Sequence, residues 1–305
     1  MYNDYAIEKA LKTVFLPVIC NELDAGTNPI FSKIKQSVND VWGNEVIVTT
    51  AKENILLKSN MSKISLKLQV PLRNFSLTPA DIAQKLGKNI EKLKDDFNNY
   101  ILHSLFSKKE NSSNFLTGFA DVLDTDNEKI YNVAKADYCS LNPVCKKVNE
   151  FNLNNLIEMV DDLEQNRSRP NFILCSYDTK RKLYNELLSK HNTVNVIEFS
   201  SGHKAIDVYM GIPLLPIKDL KDEEMYFIDT TFFTLHQLCD WNWEEDGKGN
   251  ILHRDTKTGE CYALLVKYAE IICDDISKQG VLKKFTESDL IIESITSLFL
   301  PIRHL

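Results

Sequence analysis

The 305-residue sequence has no run of about 18 apolar residues, so no membrane-spanning helix is expected. Glycine and proline are scarce, at 10 and 9 residues, which excludes collagen-like and low-complexity chains. Seven cysteines are present, an odd number without a CxxC pair, so a disulfide framework or a zinc knuckle is not indicated. All seven are read as reduced apolar core residues of a cytoplasmic protein, with Cys175 in a buried strand and Cys261 and Cys273 bracketing another. Positive charge is the minority: 36 Lys plus Arg against 43 Asp plus Glu, a net charge of −7. That argues against a surface built to grip phosphates, though not against enclosing nucleic acid. The first fifteen residues lack a basic segment followed by an apolar run and a cleavage site, so no secretory leader is expected.

Catalytic signatures are missing as well. The sequence contains no GxGxxG, no GxxxxGK[ST], no GxSxG and no HExxH. The six histidines are scattered, none with another at i+3 or i+4, so neither a metal site nor a cofactor is expected. Asp124-Thr-Asp126-Asn-Glu128 opens like a calcium loop but lacks its glycine and distant glutamate, so it reads as a polar loop. Asp161, Asp162 and Glu164 fall on the polar face of a helix. Glu244-Glu245-Asp246 precedes Gly247 and reads as a hairpin tip. An enzyme using Asp161, Asp178 or Asp229 around a metal is the competing reading.

The sequence does contain well-marked elements. Residues 1–40 read as an arm that docks elsewhere, with Ile7, Leu11, Val14 and Phe15 on one helical side and Pro17 ending or kinking it. In Lys63–Val70, Ile64, Leu66, Leu68 and Val70 alternate with polar residues, the signature of a half-buried strand, and Glu45–Thr50 is a plausible partner. Thr78, Pro79 and Asp81 form a helix start. Beyond it Ile82, Leu86, Ile90, Leu93, Phe97, Ile101 and Leu105 make one stripe, predicting a single helix over 79–106. Residues 152–240 alternate helix and strand as an α/β block, with Asn152 or Asn154 and Ser176 as caps. Phe232–Glu245 and the run Cys261–Cys273 read as a long hairpin turning at 246–250. Trp241 and Trp243 lie two apart on one face, as sheet packing or as a subunit contact. Thr286-Glu-Ser-Asp289 is a capping box before a short helix with Ile291, Ile295 and Leu298.

This order of parts resembles the major capsid protein of tailed bacteriophages, whose fold encapsulins share. Pro71–Ile82 is similar to the approach to that family's spine helix, and Pro170–Ser176 and Asp207–Leu214 with Met225–Asp229 to its axial domain. Tyr262–Cys273 is similar to the long strand of its peripheral domain. The resemblance implies an α+β fold with an N-arm (1–40), an extended loop (41–75), the spine helix in a first peripheral part (76–150), an axial domain (151–235), a hairpin and return strand (236–285) and a C-terminal helix (286–305). It implies a non-enzymatic shell subunit forming pentamers and hexamers of an icosahedral head around double-stranded DNA. Such a subunit is assembled in the bacterial cytoplasm with separate scaffolding, portal or decoration proteins as possible partners. An encapsulin-type compartment is the alternative. Ile64, Leu66, Leu68, Val70, Trp241 and Trp243 are expected as assembly contacts. Lys52, Lys58 and Lys63 read as surface lysines, and no covalent crosslink is carried over.

Overall fold

A computed structural model describes residues 2–25, 28–38, 45–70, 79–109, 114–191, 193–199, 204–218 and 220–285, without the side chains of 2–4, 6, 22, 24, 25, 79–88 and 191. Its elements are α1 (Tyr2–Ala10), α2 (Leu16–Ala25), β1 (Lys35–Val38), β2 (Glu45–Thr49), β3 (Leu56–Asn60), β4 (Ser62–Val70), α3 (Pro79–Phe106), α4 (Phe119–Val122), β5 (Lys129–Ile130) and β6 (Val133–Ala134). They continue as β7 (Val144–Val148), α5 (Leu153–Gln165), β8 (Phe172–Cys175), α6 (Tyr177–His191), β9 (Val196–Glu198), β10 (Lys204–Tyr209), β11 (Ile212–Pro216) and β12 (Glu224–Ile228). The last are β13 (Phe233–Gln237), β14 (Asn242–Trp243), β15 (Leu252–Arg254), β16 (Cys261–Cys273) and β17 (Gly280–Lys284). The C-terminal helix expected at 286–305, the cap Thr78 and the stretch 71–78 lie outside the described residues.

Two compact units form: residues 1–138, 199–203 and 230–274 in the first, and 139–198, 204–229 and 275–305 in the second. The first is organised by β16. Leu265 pairs with both Leu66 and Trp243, and Ala269 with both Ser62 and Gln237. A strand residue has only two edges, so β4 fills one edge of β16 while β13, β14 and β15 fill the other in succession. β1 then extends the sheet parallel to β13. Opposite residues share a face, which puts Val70, Leu68, Leu66 and Ile64 beside Cys261, Ala263, Leu265 and Lys267 on the buried side.

The spine helix α3 is one element of 28 residues, about 42 Å long at 1.5 Å per residue. Leu93, Phe97, Ile101 and Leu105 of its stripe are buried, as the spacing predicts. After it the chain returns so closely that a Cβ on Gly118 would lie 2.6 Å from Leu105 Cα. Only glycine fits there.

The N-terminal segment differs from the expectation. It does not dock elsewhere: Ile7, Leu11, Phe15, Ile19 and Leu23 are buried within the first unit, and β1 joins its sheet. These five residues recur every four positions. A stripe with that spacing drifts around an α-helix of 3.6 residues per turn. A π-helical turn at Leu11–Phe15, wider than an α turn, takes up drift. Pro17 does not end the helical stretch, which continues as α2 to Ala25. Val14, expected on the buried side, is instead 48% exposed.

The long hairpin is also rearranged. β14 and β15 both run antiparallel to β16, so residues 246–250 bulge outward without reversing the chain. The reversal comes at 255–260, where Asp255 Oδ1 accepts from the N–H groups of Lys257 and Thr258 and Gly259 takes φ 69°.

In the second unit, a seven-stranded sheet is ordered β7-β17-β12-β8-β11-β10-β9. β17 pairs with β12 and β7. It therefore belongs here, although the sequence reading put it in the return strand of 236–285. Helices α5 and α6 cover one face through Leu156, Val160, Leu183 and Leu187 against Ile173, Leu214 and Phe227. Asn152 caps α5 by accepting from Asn155 N–H at 2.9 Å, and Ser176 caps α6 from Thr179 N–H at 3.2 Å. Asp162 pairs with Lys146 at 2.6 Å on the polar side of α5.

Candidate assembly surface

The six residues expected to touch neighbouring subunits are all turned inward. Ile64, Leu66, Leu68 and Val70 are at most 4% exposed, because β4 is a full member of its own subunit's sheet. Trp241 packs edge-on against Phe97 of α3, ring centroids 5.2 Å apart, and Lys267 Nζ lies 5.2 Å from its centroid. Trp243 Nε1 donates to Leu11 O at 3.2 Å, tying the N-terminal helix to the sheet. These surfaces are covered within the chain, so the six side chains expected as assembly contacts lie in this chain's own core. Alternation in β4 reported correctly that one face is buried but could not say by what.

The glutamates of the expected hairpin tip are likewise engaged within the unit. Glu244 pairs with Lys63 at 2.9 Å and Glu245 with Lys12 at 2.5 Å. The Glu244 carboxylate raises the Lys63 ammonium above its ordinary value. Asp124 is buried against Lys108 at 2.6 Å, while Asp126 and Glu128 of the loop that opens like a calcium site are exposed. Among the described residues no group of three or more His, Cys, Asp or Glu side chains is placed to hold a metal. Cys175, Cys261 and Cys273 are buried, and burial pushes the Cys175 thiol up to about 12. Cys139, Cys145 and Cys239 are exposed, contrary to the core reading for the cysteines as a set.

What remains exposed and apolar lies elsewhere. In the pair β2–β3, Val46 and Leu57 face inward and are fully buried. Ile47 and Leu56 occupy the other face and are 46% and 48% exposed. Lys58 N–H donates to Tyr131 O at 3.1 Å and Asn132 Nδ2 to Lys58 O at 3.2 Å, so the hairpin is anchored at its base while its outer face stays open. In the second unit α6 presents Tyr177 and Tyr184, 57% and 37% exposed, seven residues apart on one side. With Lys180, Val196, Lys204 and Ile206 they line a groove of about 490 Å³. Met210, 66% exposed, stands at the β10–β11 turn, where Met210 and Gly211 both have positive φ (48° and 83°). Sequence reading did not single out these positions: Ile47 and Leu56 stand in the apolar runs Val46–Val48 and Ile55–Leu57, where nothing local separates inward from outward side chains.

No protein-family model matches the chain, and no curated protein does. Solved structures do match. The capsid asymmetric unit of cyanophage A-1(L) is similar at TM-score 0.52 and 11% identity, over 86% of this chain and 93% of that one. The capsid of a native GTA particle is similar at TM-score 0.50 and 12% identity, over 86% and 91%. The SrpI encapsulin complex of Synechococcus elongatus PCC 7942 matches at TM-score 0.49 and 14% identity, over 84% and 87%. The chain therefore has the fold of the phage major capsid proteins.

Proposed function

We propose that this chain is a structural shell subunit, assembling as pentamers and hexamers into an icosahedral phage head around double-stranded DNA. The observation that carries the reading is the capsid fold, matched over most of this chain and most of the cyanophage A-1(L) subunit. In this reading the first unit is the peripheral part and the second the axial part. The role is mechanical rather than catalytic, and the site of action is the virion. Exposed apolar positions on two elements, Ile47 with Leu56 and Tyr177 with Tyr184, supply area to bury against further copies. Contacts of this heterologous kind close into rings and shells. The net charge of −7 suits a container that must release its DNA, because a wall that bound phosphate tightly would resist ejection.

The test is sedimentation and negative-stain microscopy of the expressed chain. Shells or capsomer rings are expected. A monodisperse monomer or dimer at all concentrations would sink the reading. Particles recovered from infected cells should contain nuclease-protected DNA, whereas a protein cargo in its place would assign the shell to the encapsulin type.

A further inference from the structure

The β2–β3 pair, the β5–β6 turn and the chain just beyond α3 line an open cleft of about 470 Å³ in the first unit. Three lysines line it: Lys58 from β3, Lys109 after α3, and Lys129 from β5. The amides of Asn60, Asn114 and Asn127 stand beside them.

The negative groups nearby are already answered. Asp121 is in the wall, but its carboxylate accepts from the N–H groups of Lys109 at 2.8 Å and Gly118 at 3.1 Å. Glu270, fully buried, accepts from Lys109 Nζ at 2.6 Å, from Thr117 N–H at 2.6 Å and from Ser59 Oγ at 3.3 Å. Lys109 is thereby neutralised. Among the described residues no carboxylate lies within ion-pair distance of Lys58 or Lys129.

The backbone ties together the two segments that carry these lysines. Tyr131 and Asn132, directly after β5, take φ 50° and 62°, a left-handed pair that is unfavourable for tyrosine. The turn persists because it bonds to Lys58 through both its backbone and the Asn132 side chain. The chain thus places two lysines, neither within ion-pair distance of a carboxylate among the described residues, on the lining of one cleft, and an anion bound there would gain from both charges.

We propose that this cleft is an oxyanion site, taking a phosphate or carboxylate group between Lys58 and Lys129, with the Asn60, Asn114 and Asn127 amides as neutral donors. Two sources supply that chemistry: a free phosphate, or an acidic side chain of a second copy of this chain. The second source rests on the shell reading above, while the first stands without it.

The experiment compares the full chain with Lys58→Met/Lys129→Met and Lys58→Arg/Lys129→Arg variants, their fold checked by circular dichroism. Inorganic phosphate is titrated against sodium chloride of matched ionic strength, and the assembly threshold is followed by light scattering. If the site takes free phosphate, phosphate raises the melting temperature of the wild type and the arginine variant, and the methionine variant binds it at least about tenfold more weakly. If a second copy fills the site, phosphate competes with assembly. The methionine variant's threshold then rises by about tenfold while the arginine variant assembles like wild type. A saturable phosphate response without shells would keep the site and reject only the shell reading. A wild type whose melting temperature and assembly are both indifferent to phosphate, or a folded methionine variant identical to it in both, overturns the proposal.

Discussion

Lys109 Nζ lies 2.6 Å from Glu270 Oε2, and the Glu270 side chain has no exposure to solvent. The carboxylate is also held by the N–H groups of Thr117 and Ile271, so one buried charge joins β16 to the segment between α3 and α4. Removing one partner leaves the other unanswered, but not symmetrically, because Lys109 is 24% exposed and can turn to water. Lys109→Met should therefore destabilise by about 3–5 kcal/mol, stranding a buried charge. Glu270→Gln, which keeps an acceptor for Thr117, should destabilise by about 1–3 kcal/mol. Urea melts would measure both, and equal losses would contradict this asymmetry.

Phe97 belongs to the buried part of the spine stripe, with Phe31 at 6.1 Å and Trp241 at 5.2 Å between ring centroids. Phe97→Ala should lower stability by about 3–5 kcal/mol. An unchanged thermal melt would show that the stripe is not core.

Gly118 abuts the backbone of α3 at Ser104 and Leu105. A methyl group there must displace a helix rather than a side chain. Gly118→Ala should destabilise by about 1–3 kcal/mol or more, whereas Gly247→Ala, with open space around it, should be within about 0.5 kcal/mol of wild type. Differential scanning calorimetry of the pair provides the comparison.

The place of β4 within its own chain's sheet separates folding from assembly. Leu68→Ala should lower the subunit's stability by about 2–5 kcal/mol, because Leu68 is completely buried in its own sheet. Ile47→Lys/Leu56→Lys should leave circular dichroism and the melt nearly unchanged and abolish shells seen by light scattering. Normal assembly of that double variant would remove the hairpin's outer face from the proposed contacts.

Burial, with the Lys35 ammonium adding to it, holds the His236 imidazole below its ordinary value of 6.5. The unfolded chain then takes up a proton at higher pH than the folded one does. This group's contribution is present above pH 6.5 and is lost as pH falls from 6.5 through the lowered folded value. His236→Gln should flatten the dependence of melting temperature on pH between about 7 and about 5. A variant with the wild-type slope would place the titration elsewhere.

Local rules determined much of this protein. The alternation of Ile64, Leu66, Leu68 and Val70 made a strand with one buried face, and the spacing from Ile90 to Leu105 made one long helix. Asn152 and Ser176 set helix starts because their side chains answer N–H groups within the next turn. Each of these signals works over a few residues, and the order of the elements was enough to suggest the capsid fold. Which surface covers which face was decided only by tertiary structure. β4 is joined along its edge to β16, some two hundred residues away, and packs against α3, and Trp241 packs against Phe97. The turn at 246–250 and the one at 255–260 look alike in sequence, and pairing with β16 made the second the reversal. A periodic pattern specifies that a face must be buried, because water is expelled from apolar surface whatever the partner. Only the folded chain selects that partner, and with it the residues left exposed for other copies.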